Sequence, residues 1–311
     1  MKNIHLQHPE DSILTGDLSV LNAFIEPSVL SLKFDGRPAI VWGSHPQLGK
    51  CFVGTKSVFN KRKIKVNFTV EDIERNHGDN PELVMILTAC LKCIPPMNRI
   101  YQGDFIGFGG GGYTEFQPNT VEYVFPDAIH ETIVIAPHTE YIATKEGGLP
   151  NAIAKPLLRK LQSDDDECLF IQPSAWVTGR ENFVRTNIFE QVRTKVQFAK
   201  QMAQLVKFVD EKQASVIRQM LNGCIRLNLN IIDEEFEQVC DVRLISLWKL
   251  IRQIKLDAMQ YCRNDSIIEA YIQGEYVDGE GYVMHNQWGT YKLVYRDLFS
   301  QANFNNVRYI K

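Results

Sequence analysis

The sequence predicts an α+β protein in which a core of antiparallel sheets is interrupted by a helical insertion. Three observations lead there. Residues 1–145 hold short β-branched and aromatic runs broken by Gly, Pro and Asn. Residues 187–263 hold apolar side chains at helical spacing, and from Ile267 onward strand-like runs return. A sheet that is left and then completed gives this order more simply than two domains in sequence. The expected boundaries are 1–160 with 266–311 for the core and 161–265 for the inserted domain.

In chain order, VLSLKFDG, AIVWG, KCFVGTKSVF, IYQGDFIGFG, TVEYVF and ETIVIAP are the early strand candidates, each bounded by turn formers. One helix candidate interrupts them, from Val70 to Lys92. Thr69 is its expected cap, since a threonine hydroxyl can accept from the open N–H groups of a first turn. KEGGLP and the acidic run Asp164–Asp165–Asp166–Glu167 mark a boundary, and the run reads as a solvated loop. In the helical block, Val192, Val196, Ala199, Ala203 and Val206 form one apolar stripe, and Leu244, Leu247, Trp248, Ile251 and Ile254 another. IEAYIQGEYV, GEGYVMHN and TYKLVYRDLF are the returning strands.

With 311 residues, 44% of them hydrophobic and 23% charged, the composition excludes a disordered or fibrous chain. Its 34 Lys and Arg against 37 Asp and Glu leave a net charge of −3, so a nucleic-acid partner has to meet a local patch. Such a patch exists. Lys50, Lys56, Lys61, Arg62, Lys63 and Lys65 fall within 16 residues, with Phe52, Phe59 and Phe68 interleaved. Cations meet phosphates and rings stack on bases, which makes Lys56, Lys61, Arg62, Lys63 and Lys65 candidate nucleic-acid contacts. A solvated hairpin tip is the other reading of the same run.

The opening MKNIHLQHPEDSIL carries acids where a secretory leader is apolar, and no run nears the roughly 18 apolar residues of a membrane span. The expectation is a cytoplasmic monomer with no membrane partner. Seven scattered cysteines suit reduced thiols. Cys90 and Cys93, the one close pair, sit in the apolar LVMILTACLKC and read as buried thiols rather than half of a zinc site. His5, His8, His45, His77, His130 and His138 are dispersed, with no metal-spaced pair among them.

The most informative stretch is Leu30-Ser31-Leu32-Lys33-Phe34-Asp35-Gly36-Arg37-Pro38, a strand ending in lysine followed by Asp and Gly. Behind it come, in order, Gly54-Thr55-Lys56-Ser57, Tyr101-Gln102-Gly103-Asp104-Phe105, Glu280-Gly281-Tyr282-Val283 and Tyr291-Lys292-Leu293-Val294. That series resembles the covalent nucleotidyltransferase superfamily of polynucleotide ligases and messenger-RNA capping enzymes, whose K-x-D-G lysine accepts a nucleotide. The E-G-Y-V segment and the short chain after Lys292 resemble phage-type RNA ligases more than DNA ligases, which suggests a bacteriophage source.

The resemblance implies a nucleotidyltransferase (ligase adenylation) core and an ATP-dependent ligase that joins 3′-hydroxyl and 5′-phosphate ends, with RNA favoured and DNA possible. Lys33 would attack the α-phosphorus of ATP, expel pyrophosphate and hold AMP, a role open to a lysine only when its amine is deprotonated. Lys33, Asp35 and Lys292 would be catalytic. Ser31, Leu32, Gly36, Arg37, Lys56, Asp104, Glu280 and Lys292 would bind the nucleotide. Glu280 and Asp104 would hold Mg²⁺ or Mn²⁺ through hard oxygen ligands, and Lys292 would neutralise charge developing on the α-phosphate.

Departures from the pattern keep other classes open. Arg37 follows the glycine directly, and Pro38 stands where DNA ligases and capping enzymes usually carry arginine. His285 and Val294 replace expected cations, and 19 residues follow Lys292, too few for an appended barrel domain. The alternatives are a GTP-using capping-type nucleotidyltransferase and a non-catalytic protein that binds nucleotide and nucleic acid.

Overall fold

The computed structural model describes residues 6–163, 166–178 and 192–305. His5, the Asp164–Asp165 half of the acidic run and the start of the helical block at Asn187 lie outside the described residues.

The elements run in chain order as α1 (Pro9–Ser12), α2 (Ser19–Ala23), β1 (Val29–Lys33), β2 (Ala39–Ser44), β3 (Cys51–Gly54), α3 (Val70–His77), α4 (Pro81–Cys93) and β4 (Ile100–Phe108). There follow β5 (Tyr113–Phe116), β6 (Glu122–Ile129), β7 (Ile133–Ile142), β8 (Ile153–Pro156), β9 (Cys168–Phe170) and β10 (Ser174–Val177). The last third holds α5 (Arg193–Ala203), α6 (Glu211–Arg226), α7 (Val242–Met259), β11 (Cys262–Asn264), β12 (Glu269–Ile272), β13 (Glu275–Val277), β14 (Gly281–Asn286), β15 (Gly289–Val294) and α8 (Arg296–Asn305). Antiparallel sheets with separate helices make this an α+β fold.

The chain divides into two compact units, and the divisions differ from the expected boundaries. One unit is built from Phe34–Gln172 and Ile267–Val277, the other from His5–Lys33, Pro173–Ser266 and Asp278–Lys311. The helical block shares its unit with β1, β14 and β15 because β10 and β11, which flank it in sequence, pair into the same sheet. That sheet has the order β11-β10-β1-β14-β15.

In this second unit one face of the sheet and the helices share a core. Leu30, Tyr282, Met284, Tyr291 and Leu293 meet Val196, Ala199, Ala203, Ile217, Leu221 and the fully buried α7 stripe of Leu244, Leu247, Trp248, Ile251 and Ile254. Each helix starts where its sequence lets it. Asp210 accepts from Gln213 N–H (2.8 Å) to open α6, and Asp241 accepts from Arg243 N–H (3.0 Å) to open α7. The run TYKLVYRDLF is expected to be one strand, but β15 ends at Val294 and α8 begins at Arg296.

In the first unit a six-stranded sheet, β3-β2-β4-β7-β8 with β9 beside β7, packs Ile40, Trp42, Val53, Tyr101, Phe105, Ile133 and Ile135 against Ile86, Leu87, Cys90 and Cys93 of α4. The close cysteine pair is thus core, and burial raises both thiols, Cys93 to about 11. The single helix expected over 70–92 is two helices. Thr69 caps α3 in a reciprocal capping box with Asp72. Gly78 ends it, and Asn80 with Pro81 starts α4 afresh. A four-stranded sheet, β13-β12-β6-β5, completes the unit. No helix among the described residues is long and apolar enough to cross a membrane.

Candidate active site

In the second unit β1 runs between β10 and β14, with Lys33 as its last residue. Lys33 stands opposite Gly281 and Ser31 opposite Val283; across the next pair, Gly281 stands opposite Val294 and Val283 opposite Lys292. Side chains directly opposite share a face, and faces alternate along each strand. Ser31, Lys33 and Lys292 therefore occupy the face away from Leu30, Leu32, Met284 and Leu293, which pack toward the helices. Leu32, expected among the nucleotide contacts, turns its side chain to that core.

The Lys33 ammonium donates to the carboxylate of Glu280, 247 positions away in sequence; the two side chains are 24% and 14% exposed. Lys292 belongs to the same electrostatic group. Burial first, and the charge of Lys33 second, pull its ammonium below the ordinary lysine range, while Glu280 acts in the opposite sense. The turn that delivers Glu280 depends on glycine. Gly281 has φ +139, and a Cβ there would lie 2.1 Å from the Leu293 carbonyl oxygen.

The strand bearing Lys292 is held on its other side by the N-terminal segment. Gln7 bridges to Tyr291, and its carbonyl accepts the Lys292 N–H at 3.2 Å. Behind it lies a buried charge cluster. Lys255 donates to Glu10 at 2.7 Å with both side chains fully buried. Arg296 donates to Asp11 (3.0 Å) and more distantly to Glu10 (3.4 Å), and Trp248 Nε1 donates to Asp11 (2.9 Å). Burial pushes the Glu10 carboxyl up, but Lys255, His8 and Arg296 together hold it down to about 2. Burial likewise lowers the His8 imidazole to about 2. The sequence offers no pointer to this cluster, because Glu10 and Asp11 meet Trp248, Lys255 and Arg296 only through the fold.

The first unit carries the other expected residues. The Asp35 carboxylate accepts from Asn119 Nδ2 (2.8 Å), Thr120 N–H (3.0 Å) and Val121 N–H (3.4 Å), and its own N–H donates to the Tyr123 hydroxyl. Asp35 thereby ties the D-G turn to the loop before β6. Gly36 packs so closely on β4 that a Cβ would lie 2.7 Å from that of Asp104. The exposed Arg37 donates its N–H to the Phe105 carbonyl (2.9 Å). Asp104 stands opposite Ala39 on β2 and Ala136 on β7, with its Oδ2 3.8 Å from His138 Nε2.

Among the described residues no three His, Cys, Asp or Glu side chains gather into a metal site. Mg²⁺ commonly takes one or two carboxylates and fills its shell with water and substrate phosphate oxygens, a mode that the single carboxylate of Glu280 fits.

The basic patch is only partly available. Lys61, Arg62 and Lys63 are exposed, Lys56 is half-buried at the start of a 3-10 turn, and the Lys65 ammonium donates to the Asn76 carbonyl. The three phenylalanines expected to stack on bases are core side chains instead. Phe52 is buried, Phe59 packs on Tyr141 with ring centroids 4.2 Å apart, and Phe68 joins the same cluster beside His45. Of the departures, His285 bonds Thr290 through Nδ1 (2.7 Å) across the β14–β15 pair, and Val294 is buried.

No curated protein and no solved structure matches the chain. A family model matches residues 3–239 and 228–308, covering nearly the whole sequence. The chain belongs to that family, which is described as a family of unknown function, DUF6267.

Proposed function

We propose that this protein is an ATP-dependent polynucleotide ligase, acting on RNA or RNA-containing ends, that works through AMP bound covalently to Lys33. One observation carries the reading. Lys33 lies 247 positions before Glu280 in the chain, yet its ammonium bonds the Glu280 carboxylate, and it shares one sheet face and one electrostatic environment with Lys292, in the order of the nucleotidyltransferase motifs.

The chemistry follows from those three groups. The Lys33 ammonium must lose a proton before it can attack, and the Glu280 carboxylate bonded to it is the acceptor at hand. The freed Nζ forms a bond to the α-phosphorus while the bond from that phosphorus to the pyrophosphate oxygen breaks. Lys292, fixed on β15, offsets the negative charge gathering on the α-phosphate oxygens. Mg²⁺ held by Glu280 and the triphosphate would supply Lewis-acid polarisation of phosphate oxygens. AMP then passes from Lys33 to a 5′-phosphate end, and a 3′-hydroxyl displaces it to form the new phosphodiester.

The test is incubation with Mg²⁺ and ATP or GTP labelled at the α-phosphate, followed by a denaturing gel. Label from ATP that survives denaturation, together with joining of a 5′-phosphorylated RNA, is the expected result. Label from GTP instead would indicate a capping-type transferase. No label from either nucleotide, on protein freed of bound AMP, would overturn the enzyme reading in favour of a binding protein.

A further inference from the structure

The segment from Gly36 to Val70 contains seven Lys and Arg residues and no Asp or Glu, in a chain whose net charge is −3. Within it, the residues after β3 form a loop closed on a rigid frame. Lys65 N–H donates to the Ser57 carbonyl (3.4 Å), and Asn67 and Val53 exchange both backbone hydrogen bonds (3.0 and 3.1 Å). The fully buried Asn67 also donates through Nδ2 to the Val53 carbonyl (3.0 Å) and accepts from Asn76 Nδ2 (2.8 Å). Lys65 spends its ammonium on the Asn76 carbonyl, so it braces the frame.

What projects beyond the frame is Asn60, Lys61, Arg62, Lys63 and Ile64, all exposed. None of the three cations pairs with a carboxylate among the described residues. The rings nearby in sequence are core, so the loop presents charge with no aromatic platform. Charge without stacking recognises phosphate rather than bases, and Arg62 adds a fork of donors suited to phosphate oxygens.

We infer that the loop Lys61-Arg62-Lys63 is a sequence-blind docking site for the phosphodiester backbone of a nucleic acid, made by three cations acting together. The inference deepens the ligase reading by naming how the strand is held, and it rests on that reading for its choice of polyanion. It can nonetheless fail separately, because strand binding is measured without ATP.

The experiment compares the full wild-type chain with Lys61→Gln/Arg62→Gln/Lys63→Asn, by fluorescence anisotropy of labelled single-stranded RNAs of different sequence over a range of KCl. Asn is chosen at position 63 because that residue has φ +53, a conformation Asn tolerates. Three phosphate contacts make log K steeper in log salt by about 2 on single strands, so a fourfold rise in salt should weaken the wild type about 20-fold more than the variant. The loss should be equal for all sequences. An unchanged slope, or a loss confined to one sequence, would overturn the inference. So would a poly-glutamate peptide of matched charge that binds the loop as tightly as RNA.

Discussion

Replacing Lys255 with Met strands a buried carboxylate, and the structure sets the size of the effect. Glu10 and Lys255 are both fully buried and 2.7 Å apart, and the remaining cation, Arg296, lies 3.4 Å from the same Glu10 oxygen while its shorter bond goes to Asp11. Removing one member of a buried pair costs about 3–5 kcal/mol. Arg296 offsets part of that, so the lower end, about 3 kcal/mol, is expected. With a urea slope of about 2–3 kcal/mol/M, the midpoint of the second unit should fall by about 1–1.5 M. Glu10→Gln/Lys255→Met removes both charges and should recover most of the loss, a coupling of about 2 kcal/mol. Urea unfolding followed by tryptophan fluorescence reads this directly, since the buried Trp248 is bonded to Asp11 in the same cluster. Additive penalties, or a single variant within about 0.5 kcal/mol of wild type, would refute the idea that this pair pins the N-terminal segment against β15.

Acid should weaken the second unit in two stages. His8 is held neutral down to about 2, so below its ordinary value of 6.5 the unfolded chain takes a proton that the folded chain refuses. Stability is then complete above pH 6.5 and falls by up to about 1.4 kcal/mol per pH unit below it. Glu10, lowered from 4.5 to about 2, adds an equal slope below pH 4.5. Urea midpoints between pH 7 and 4 check both stages, and His8→Asn should remove the first. Gly281→Ala should cost at least about 2 kcal/mol and unseat Glu280, because its Cβ meets a backbone oxygen. Gly279→Ala, at φ +80 with its nearest neighbour 3.6 Å away, should cost only about 1 kcal/mol; thermal melts compare the two. Asp35→Asn should speed hydrogen exchange at Thr120 and Val121, whose N–H groups Asp35 now accepts. Glu280→Gln should slow adenylation about 100-fold or more in single-turnover labelling, and an unchanged rate would remove the residue from the chemistry.

Elements carried by local pattern were legible in the sequence. The alternation of Leu30, Leu32, Tyr282 and Met284 with Ser31, Lys33 and Val283 marks β1 and β14, and the stripe from Leu244 to Ile254 marks α7. The Thr69 cap was equally readable. Where two signals overlapped, the longer one misled. Apolar periodicity hides the Gly78–Pro81 break between α3 and α4, and aromatic residues on both sides of Val294 hide the start of α8. The placement of β10 depends on pairing with β1, which no local pattern reveals.

The site divides in the same way. Lys33, Glu280 and Lys292 stood out by the order of their motifs, and the pairing of β1, β14 and β15 brings these three side chains into one neighbourhood. The Phe52, Phe59 and Phe68 rings were misplaced because burial is decided by partners such as Tyr141 and His45 that are distant in sequence. The Glu10–Lys255–Arg296 cluster was invisible for the same reason: each member alone looks like a surface charge.

The most direct test of the central claim is to map the nucleotide adduct. The protein is first stripped of bound AMP with pyrophosphate and Mg²⁺, then recharged with ATP, and wild type and Lys33→Ala are compared by intact mass and peptide mass spectrometry. An adduct of one AMP on the peptide containing Lys33, absent from the variant, is the predicted result. An adduct on another lysine, or none after recharging a folded wild-type protein, would contradict it.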